Sequence, residues 1–510
     1  MNQPDSTSAL TTPVAVPVAT PAQPGPDRVP PLAWLIAAVF VAVELAVSDR
    51  YGFQQDELYF IEAGRHLAFG YVDQPPLAPL LTRITGLLGV SPTAIRIVPA
   101  LAGGAIVVAA ARFAALFGAG RLGRVLAALA TACAPVLLGS AHIANTTPLE
   151  LLAWAAVLLC VATALLRHRP RCWLGAGAAA GAGLETNNLM VLLLAGLAVG
   201  ILVTGYRSAL RTRWPWLGAG LAAVIWAPNV IWQATHGWPQ LAMASALHQE
   251  NSTAADYAGG LPAQVLYAGL LVAPLLIAGF IRLWRSPEVR FIAVAATLIS
   301  GYVLAWVPGK PYYADGMLPA LLAAGAVAAE RWTARTRWPR TLRGVVLAAP
   351  VVGMAVLLPY TLPIRPAVDL HAHQATSTLG DTVGWPQLTQ AVAAQDADLA
   401  RTGQPPTSIF TGYYGEAAAL DVLGSGYHLP PVLSGHNAYW MWGPGPASDH
   451  AVLVVDALGQ LKPYFASCRL LTTYHAPYHV QNDWTDLQIG VCTGPVAGWP
   501  TLWPHLKYYG

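Results

Sequence analysis

Charged residues are scarce in this sequence: Asp, Glu, Lys and Arg make up 10% of its 510 residues, and lysine occurs only at positions 310, 462 and 507. An ordinary soluble domain has about 25% charged residues. So few charges leave too little polar surface to keep a globular protein in solution, whereas a lipid bilayer accepts an apolar exterior. The composition therefore predicts a membrane protein. The net charge of +3 also argues against a nucleic-acid partner.

Cysteine is rare as well, with five residues and no spacing typical of a metal site. Cys133, Cys160 and Cys172 lie in or beside apolar runs, which indicates buried thiols. Cys468 and Cys492 lie in the more polar C-terminal region. If that region is exported, these two cysteines could pair, and the alternative is two free thiols.

Apolar runs of helical length divide the chain. Residues 1–30 are rich in Pro, Ala and Thr and are predicted to form a disordered cytoplasmic tail without a cleavable signal peptide. Residues 31–363 are predicted to form the transmembrane domain, with about eleven helices. The fifth is too short to span alone, so we expect it to be broken or buried against its neighbours. The candidate spans are 32–48, 94–116, 124–141, 148–166, 172–184, 189–205, 216–235, 264–281, 291–307, 313–330 and 344–362.

Arginine clusters fall in alternate loops, which predicts the orientation of these helices. The positive-inside rule places the arginine-rich loops in the cytoplasm, together with the N-terminus. The intervening segments then face outward, among them the loop 49–92 and everything after about residue 363. The cytoplasmic clusters are Arg112, Arg121 and Arg124; Arg167, Arg169 and Arg171; Arg207, Arg211 and Arg213; Arg282, Arg285 and Arg290; and Arg331, Arg335, Arg337, Arg340 and Arg343.

Residues 364–510 differ from the rest in being rich in turns. Ala451–Asp456 and Leu487–Cys492 are apolar runs of strand length, and Thr407–Tyr414 followed by Glu416–Leu423 is typical of a strand–helix unit. The sequence therefore predicts a polytopic α-helical membrane protein with a C-terminal extracytoplasmic α/β domain.

The first outer loop carries the residues best suited to chemistry. Asp56 and Glu57 follow the first span directly, and a carboxylate at this surface could take a proton from an acceptor hydroxyl as a general base. The alternative is a pair of solvated loop acids. Asp73 precedes Pro75-Pro76, and the prolines stiffen the chain around it.

Further polar residues lie at the outer ends of later spans. His142, Asn145 and Glu150 surround the start of the fourth span, where helix capping alone would explain the Asn-Thr-Thr-Pro run. Glu185 and Asn188 follow the short fifth helix, and at membrane depth they require a polar cavity, unless this is a simple exposed loop.

The last two outer segments combine aromatic and polar residues. His236 lies in a tryptophan-rich stretch that suits the membrane interface. Lys310 lies on the side that is poor in cations, next to Tyr312 and Tyr313, where an ammonium group with two phenols could bind a lipid phosphate or pyrophosphate. The alternative is a lysine that snorkels to the interface.

As a set, these motifs resemble the protein O-mannosyltransferase-like membrane glycosyltransferases of the GT-C fold (glycosyltransferase family 39 type), which include bacterial aminoarabinose transferases. The resemblance covers about residues 32–330. It implies an inverting transfer from a polyprenyl-phosphate sugar, with Asp56 as the catalytic carboxylate and Glu57 as its companion. The matching motifs are Asp56-Glu57, Asp73-Gln-Pro-Pro-Leu77, Pro228-Asn, Trp232-Gln-Ala-Thr-His-Gly-Trp-Pro239 and Lys310-Pro-Tyr-Tyr313.

The sequence departs from the aminoarabinose transferases at two cations associated with the donor phosphate. Tyr59 stands where those enzymes have an arginine, and Gln74 where they have a lysine. Phosphate binding must then fall to other residues, for which Lys310 and Arg65 are the candidates. The family's second acidic site corresponds to the stretch Asn145–Thr147, which lacks an acid here, although Glu150 lies nearby.

These patterns predict a glycosyltransferase of a bacterial cytoplasmic membrane. Its partners would be a polyprenyl-phosphate-linked sugar, an extracytoplasmic acceptor and membrane lipid. The alternatives are a lipid or sugar transporter (a flippase) and a catalytically silent polyprenyl-phosphate-binding protein of the same fold. The Asp-Glu pair could bind a divalent cation as a cofactor, although no further carboxylate of matching spacing accompanies it. The sequence leaves the need for a metal undecided.

Overall fold

The computed structural model describes residues 28–372, 377–444, 451–480, 482, 484 and 486–510. The predicted tail therefore lies outside the described residues up to residue 27. Helices form the first two thirds of the described chain. They are α1 (Pro31–Val47), α2 (Gln55–Arg65), α3 (Leu77–Thr85), α4 (Pro92–Leu116), α5 (Arg121–Ala132), α6 (Pro135–Ala141), α7 (Thr146–Leu166), α8 (Cys172–Leu184), α9 (Met190–Val203), α10 (Arg213–Thr235), α11 (Pro239–Glu250), α12 (Ala254–Ala268), α13 (Ala273–Arg285), α14 (Arg290–Trp306), α15 (Leu318–Ala334) and α16 (Pro339–Thr361).

Among the described residues, five helices are long and apolar enough to cross a membrane, and seven spans result if each of two bent helix pairs forms one. The five are α4, α7, α10, α16 and Pro311–Ala334, in which the 3-10 helix Pro311–Met317 leads into α15. Shorter apolar helices, including α1, α8, α9 and α14, coincide with the other predicted spans. Helices thus stand where the apolar runs predict them, while the total of eleven spans stays a prediction.

Two predicted spans are interrupted. The prediction of one helix over 264–281 is wrong, because α12 ends at Ala268 and α13 leaves it at an angle of 101°. Gly269 has φ +101° and Pro274 opens α13, a combination that ends one helix and starts another. The span predicted over 124–141 bends by 57° before Pro135. A proline restricts the preceding residue to extended backbone, as found at Ala134.

The short fifth apolar helix, α8, packs against α7 and α10. Gly177 and Gly218 lie at the contact with α10, where a Cβ atom on Gly177 would come within 2.2 Å of the Gly218 carbonyl oxygen. Small residues let two helix backbones approach this closely in a membrane. The expectation that this helix is buried against its neighbours is confirmed.

The C-terminal region contains a five-stranded sheet. Its strands are β1 (Ser408–Thr411), β2 (Val432–Ser434), β3 (Ala451–Val455), β4 (Phe465–Tyr474) and β5 (Leu487–Pro495), in the order β2-β1-β3-β5-β4. β1 runs parallel to β2 and β3, and β5 runs antiparallel to β3 and β4. The helices are α17 (Ser377–Gly380), α18 (Trp385–Arg401), α19 (Tyr414–Leu423), α20 (Asn437–Trp442), α21 (Leu458–Leu461) and α22 (Trp499–Leu502). The predicted strand–helix unit, β1–α19, is confirmed, while the separate extracytoplasmic domain stays a prediction.

Cys468 and Cys492 form a disulfide. The two residues lie opposite each other on the antiparallel strands β4 and β5. Of the two alternatives left open by the sequence, the structure shows the paired one.

The C-terminal region that carries the sheet shares a hydrophobic core with the segment between α1 and α4. Phe53, Leu58 and Tyr59 of that segment belong to the same buried cluster as Trp385 and Ala418 of the C-terminal domain. α2 packs directly on α19 within this cluster. The domain therefore covers the segment that carries Asp56 and Glu57.

Candidate functional site

The start of α2 is fixed by a reciprocal cap. The Gln54 side chain accepts a hydrogen bond from the Asp56 N–H (2.6 Å), and Glu57 Oε2 accepts one from the Gln54 N–H (2.8 Å). Such a capping box satisfies N–H groups that a helix start leaves unpaired. Both acids therefore lie in the first turn, where the helix dipole favours negative charge.

Glu57 points into the protein and is fully buried. Arg96 of α4 donates to both of its oxygens, from Nε to Oε1 (2.8 Å) and from Nη2 to Oε2 (2.6 Å). The N–H groups of Gln54 and Ala144 add one hydrogen bond each, both 2.8 Å long. Four donors occupy the carboxylate, so Glu57 does not open to a substrate cavity in this arrangement.

His142 extends this buried network towards α1. Its Nε2 lies 3.2 Å from Arg96 Nη1, and its Nδ1 lies 3.2 Å from Glu44 Oε2. Since a guanidinium can only donate, Nε2 accepts and Nδ1 donates to Glu44. Arg96 also donates to the carbonyl oxygens of Ser48 and Gly52. The network fixes the start of α2 relative to the membrane helices, and it places His142 away from the cavity described next.

A cavity of about 530 Å³ opens beside Asp56. Its wall combines membrane helices, the 3-10 helix Pro311–Met317 and the C-terminal domain. The volume lies within the range of about 300–1,000 Å³ that is usual for small-ligand sites. The structure brings seven of the sequence-predicted residues together in its lining: Asp56, Asp73, Asn145, Asn188, Lys310, Tyr312 and Tyr313.

Asp56 is partly exposed to this cavity. Burial among protein atoms raises the pKa of its carboxyl group, and a hydrogen bond from Tyr414 Oη (2.7 Å) acts in the opposite direction. The nearby charge of Lys310 and the side chain of Asn145 also favour the ionised form. Asp56 is thus a carboxylate of raised pKa with access to the cavity, as a general base requires.

Asp73 is the second acid in the cavity wall. Burial raises the pKa of Asp73 to about 7, although the hydroxyl of Tyr59 lies 3.0 Å from its Oδ1 and stabilises the ionised form. The neighbouring charge of Asp56 adds to the rise. Tyr59, which itself accepts a hydrogen bond from the Ala438 N–H (3.3 Å), therefore reaches the site through Asp73.

Lys310, Tyr312 and Tyr313 lie together in the cavity wall, at the start of the 3-10 helix Pro311–Met317. The two tyrosine rings pack edge to face, with 4.9 Å between their centroids. Lys310 makes no ion pair with any described acidic residue within 4.0 Å, so its ammonium group is free to bind an anion.

Uncharged polar side chains line another part of the cavity. Asn188 Nδ2 donates to Gln240 Oε1 (2.6 Å), and Gln240 in turn donates to the Tyr71 carbonyl oxygen (3.2 Å). Asn145 caps α7 by accepting a hydrogen bond from the Thr147 N–H (3.0 Å). Fixed amides and hydroxyls of this kind suit the hydroxyl groups of a sugar.

The other predicted site residues do not line this cavity. Arg65 Nη1 is paired with Glu62 at 2.7 Å, and His236 is exposed and stacks on Trp232. Three more are also outside the lining: Gln74 and Glu150 are buried, and the backbone carbonyl of Glu185 accepts a hydrogen bond from the Leu77 N–H. Among the residues that the structure describes, no group of three or more His, Cys, Asp or Glu side chains could hold a metal ion.

Sequence reasoning missed the contribution of the C-terminal domain. Tyr413, Tyr414 and Asn437 line the cavity opposite the membrane helices. They belong to the motifs Gly412-Tyr-Tyr-Gly-Glu416 and Ser434-Gly-His-Asn437, which carried no assignable role. Arg96 was also missed, although an arginine within the predicted span 94–116 is itself a signal of a buried polar partner.

Residues 73–232 match the family model described as dolichyl-phosphate-mannose-protein mannosyltransferase. No curated protein matches the chain at a significant level.

Solved structures match over most of the chain. ArnT from Cupriavidus metallidurans bound to undecaprenyl phosphate is 17% identical, with a TM-score of 0.59 over 91% of this chain and 98% of that one. The mycobacterial arabinofuranosyltransferase AftD is 14% identical, with a TM-score of 0.51 over 91% of this chain and 41% of that one. The Archaeoglobus fulgidus oligosaccharyltransferase is 12% identical, with a TM-score of 0.50 over 78% of this chain and 63% of that one. The resemblance predicted from the sequence is thereby confirmed, and the chain has the fold of the GT-C membrane glycosyltransferases.

Proposed function

We propose that this protein is a membrane glycosyltransferase that moves a sugar from a polyprenyl phosphate to a hydroxyl group of an extracytoplasmic acceptor. The observation that carries the proposal is the joint position of Asp56 and Lys310 in one cavity. A base and a phosphate-binding cation are the two groups that such a transfer requires.

The reaction needs a single displacement. Asp56 accepts the proton of the acceptor hydroxyl, whose oxygen attacks the anomeric carbon of the sugar. The bond between that carbon and the phosphate oxygen breaks, and the phosphate leaves with the electron pair. Lys310 stabilises the negative charge of the departing polyprenyl phosphate, with Tyr312 and Tyr313 as further hydrogen-bond donors. One displacement inverts the configuration at the anomeric carbon.

The lining of the cavity suits a lipid-linked sugar. Part of its wall is apolar, with Val191, Leu192, Leu247 and Val303. Its wall also carries the amides of Asn145, Asn187, Asn188 and Gln240. An isoprenoid chain fits the first surface and sugar hydroxyls fit the second. The undecaprenyl phosphate bound in the structure of ArnT supports a lipid phosphate as the ligand.

Glu57 has a different role in this proposal from Asp56. Because Arg96 and two backbone N–H groups occupy its oxygens, Glu57 anchors the first turn of α2 and thereby positions Asp56. Arg65 forms an ion pair with Glu62 and does not line the cavity. Of the two candidate cations, Lys310 is therefore the one that we assign to the phosphate of the sugar donor.

We further propose that the cavity opens outside a bacterial cytoplasmic membrane, with the C-terminal domain extracytoplasmic. The alternation of arginine-rich loops supports this orientation. The disulfide between Cys468 and Cys492 supports it independently, because disulfides persist in oxidising compartments.

The test is replacement of Asp56 by Asn in membranes that contain the endogenous donor and acceptor. Asn keeps the size of the side chain and removes the base, so transfer should fall at least 100-fold. Asp49→Asn is the matched control, since Asp49 is an exposed acid of the same loop outside the cavity lining. Normal transfer by Asp56→Asn at equal expression would refute the catalytic role. Absence of transfer by the wild-type protein, with retained binding of undecaprenyl phosphate, would favour a silent binding protein.

A further inference from the structure

Tyr414 occupies an unusual place for a residue of the C-terminal domain. It is the first residue of α19, and its side chain is buried. Its ring packs against Tyr59 (4.7 Å between centroids), Tyr413 (4.5 Å) and His436 (5.0 Å). Its own N–H lies 3.3 Å from His436 Nδ1. These contacts hold the phenol in one orientation.

The hydroxyl group of Tyr414 reaches across to the outer loop. Its Oη donates to Asp56 Oδ1 over 2.7 Å. The approach depends on close packing of the two helix starts, since a Cβ atom on Gly415 would lie only 3.1 Å from Gln55 Cβ. The contact joins residues that are 358 positions apart, so it forms only when the C-terminal domain is seated on α2.

We propose that Tyr414 is a positioning residue for the general base, so that the C-terminal domain completes the active site of the transferase. The hydrogen bond orients the Asp56 carboxylate, which keeps lone pairs for the acceptor hydroxyl. It also stabilises the ionised form of Asp56 in a site where burial favours the neutral form. This inference rests on the proposed function of Asp56.

Several charged and titratable groups around Asp56 set its pKa together with Tyr414. Lys310 favours the ionised carboxylate, and Glu57 opposes it. Asp73 and Tyr312 also lie near enough to interact with the charge of Asp56. None of these groups is removed by Tyr414→Phe, which keeps the ring and deletes only the hydroxyl. The expected result is therefore a rise in the pKa of Asp56 by about one unit.

The first measurement does not depend on catalysis. A carbodiimide modifies the protonated form of a carboxyl group, so its reaction with Asp56, followed by mass spectrometry across a pH series, reports the titration of that residue in the full-length protein. Tyr414→Phe should shift the midpoint upward by about one pH unit. Replacing Tyr414 with a fluorinated tyrosine, a stronger donor, should shift it downward. Unchanged midpoints in both variants would overturn the proposal.

Tyr439→Phe is the matched control. Tyr439 is buried in the same domain and donates to another carboxylate, Asp421 Oδ2, over 2.8 Å, outside the cavity lining. The Tyr439→Phe variant should lose a comparable hydrogen bond without shifting the pH midpoint of the carbodiimide reaction at Asp56. A thermal unfolding curve for each variant separates loss of the fold from loss of the contact. If Tyr414→Phe unfolds, the variant with fluorinated tyrosine tests the proposal by itself, because it keeps the packing contacts of the ring. An unchanged pH midpoint in that variant then overturns the proposal.

The second measurement is the pH profile of transfer in native membranes. For Tyr414→Phe the acidic limb should move upward by about one pH unit, and the rate above that limb should also fall because the hydroxyl no longer orients the Asp56 carboxylate. A profile identical to that of the wild type would overturn the positioning role, even if Asp56→Asn is inactive. Full activity of Asp56→Asn would instead refute the proposed function, while the carbodiimide result for Tyr414 would stand.

Discussion

Arg96 and Glu57 form a buried, bidentate ion pair between α4 and the first turn of α2. The adjacent acids Asp56 and Glu57 thus face different environments, one a cavity and the other a guanidinium. A charge that is paired in this way stabilises one geometry, and its loss leaves the partner buried without compensation.

The first prediction is that Arg96→Met destabilises the protein strongly. The variant leaves the Glu57 carboxylate and the carbonyl oxygens of Ser48 and Gly52 without the guanidinium donor, which should cost about 3–5 kcal/mol of unfolding free energy. Thermal unfolding of the purified protein measures the loss. Adding Glu57→Gln to Arg96→Met should restore part of it, because the buried charge is then gone. Arg83→Met, which removes an exposed arginine of α3, is the control. Equal stability of the Arg96 and Arg83 variants would show that the pair is not structural.

Much of the membrane region could be predicted from the sequence. The bounds of α8 follow directly from an apolar run between Arg171 and Glu185. The break between α12 and α13 was missed because the run stays apolar through Gly269, and hydrophobicity alone does not distinguish a bend from a continuous helix. That glycine and Pro274 do indicate a break, because glycine commonly ends a helix and proline commonly starts one.

The chemistry of the site could be predicted only in part. Asp56 and Glu57 are equivalent as a sequence motif, and their different roles depend on which way each faces in a helical turn. Lys310 stood out because cations are rare around it. Tyr414 could not be assigned, because its contact with Asp56 depends on the packing of two domains that are distant in the chain.

The second prediction concerns the lipid phosphate. Lys310→Met should raise the dissociation constant for undecaprenyl phosphate about 10- to 100-fold, since a hydrogen bond to a charged group is worth about 1.5–3 kcal/mol. Binding to the purified protein in detergent measures the change. Lys462→Met removes an exposed lysine far along the chain and should bind as the wild type does. Equal affinities of the two variants would exclude Lys310 as the phosphate ligand.

The third prediction is a pH-dependent gain of stability in Asp73→Asn. Burial raises the pKa of Asp73 to about 7 in the folded state, so the folded protein binds more protons than the unfolded chain between about pH 4 and pH 7. Stability therefore falls as the pH rises through this window, and an amide avoids the loss. Because Asp73 borders the cavity, solvent should limit the gain to about 2 kcal/mol.

Unfolding temperatures at pH 4.5 and pH 8 check this prediction. The variant and the wild type should be closely similar at the acidic pH, and the variant should be more stable at the alkaline pH. Asp49→Asn, at an exposed acid, should show no such difference. A variant that is less stable at pH 8 would show that the carboxylate of Asp73 is stabilised by its surroundings.

The fourth prediction is that the disulfide stabilises the C-terminal domain. Cys468→Ser should lower the unfolding free energy by about 3 kcal/mol, because the bond closes a loop with a sequence separation of 24 residues. A reductant should lower the unfolding temperature of the wild type and leave that of the variant unchanged. Cys160→Ser, at a free cysteine, should respond to the reductant as the wild type does. Insensitivity of the wild type would mean that the bond is absent from the protein in solution.

The last prediction tests on which side of the membrane the proposed reaction takes place. A cysteine introduced at Leu67, an exposed residue of the loop 49–92, should react in intact cells with a maleimide that cannot cross membranes. Ser208→Cys, exposed between two arginines of a predicted cytoplasmic cluster, should react only after lysis. The background carries alanine at the free cysteines Cys133, Cys160 and Cys172. Reversed labelling would place Asp56 and its cavity in the cytoplasm, where the proposed extracytoplasmic acceptor could not reach the base, and the transferase mechanism would fail with it.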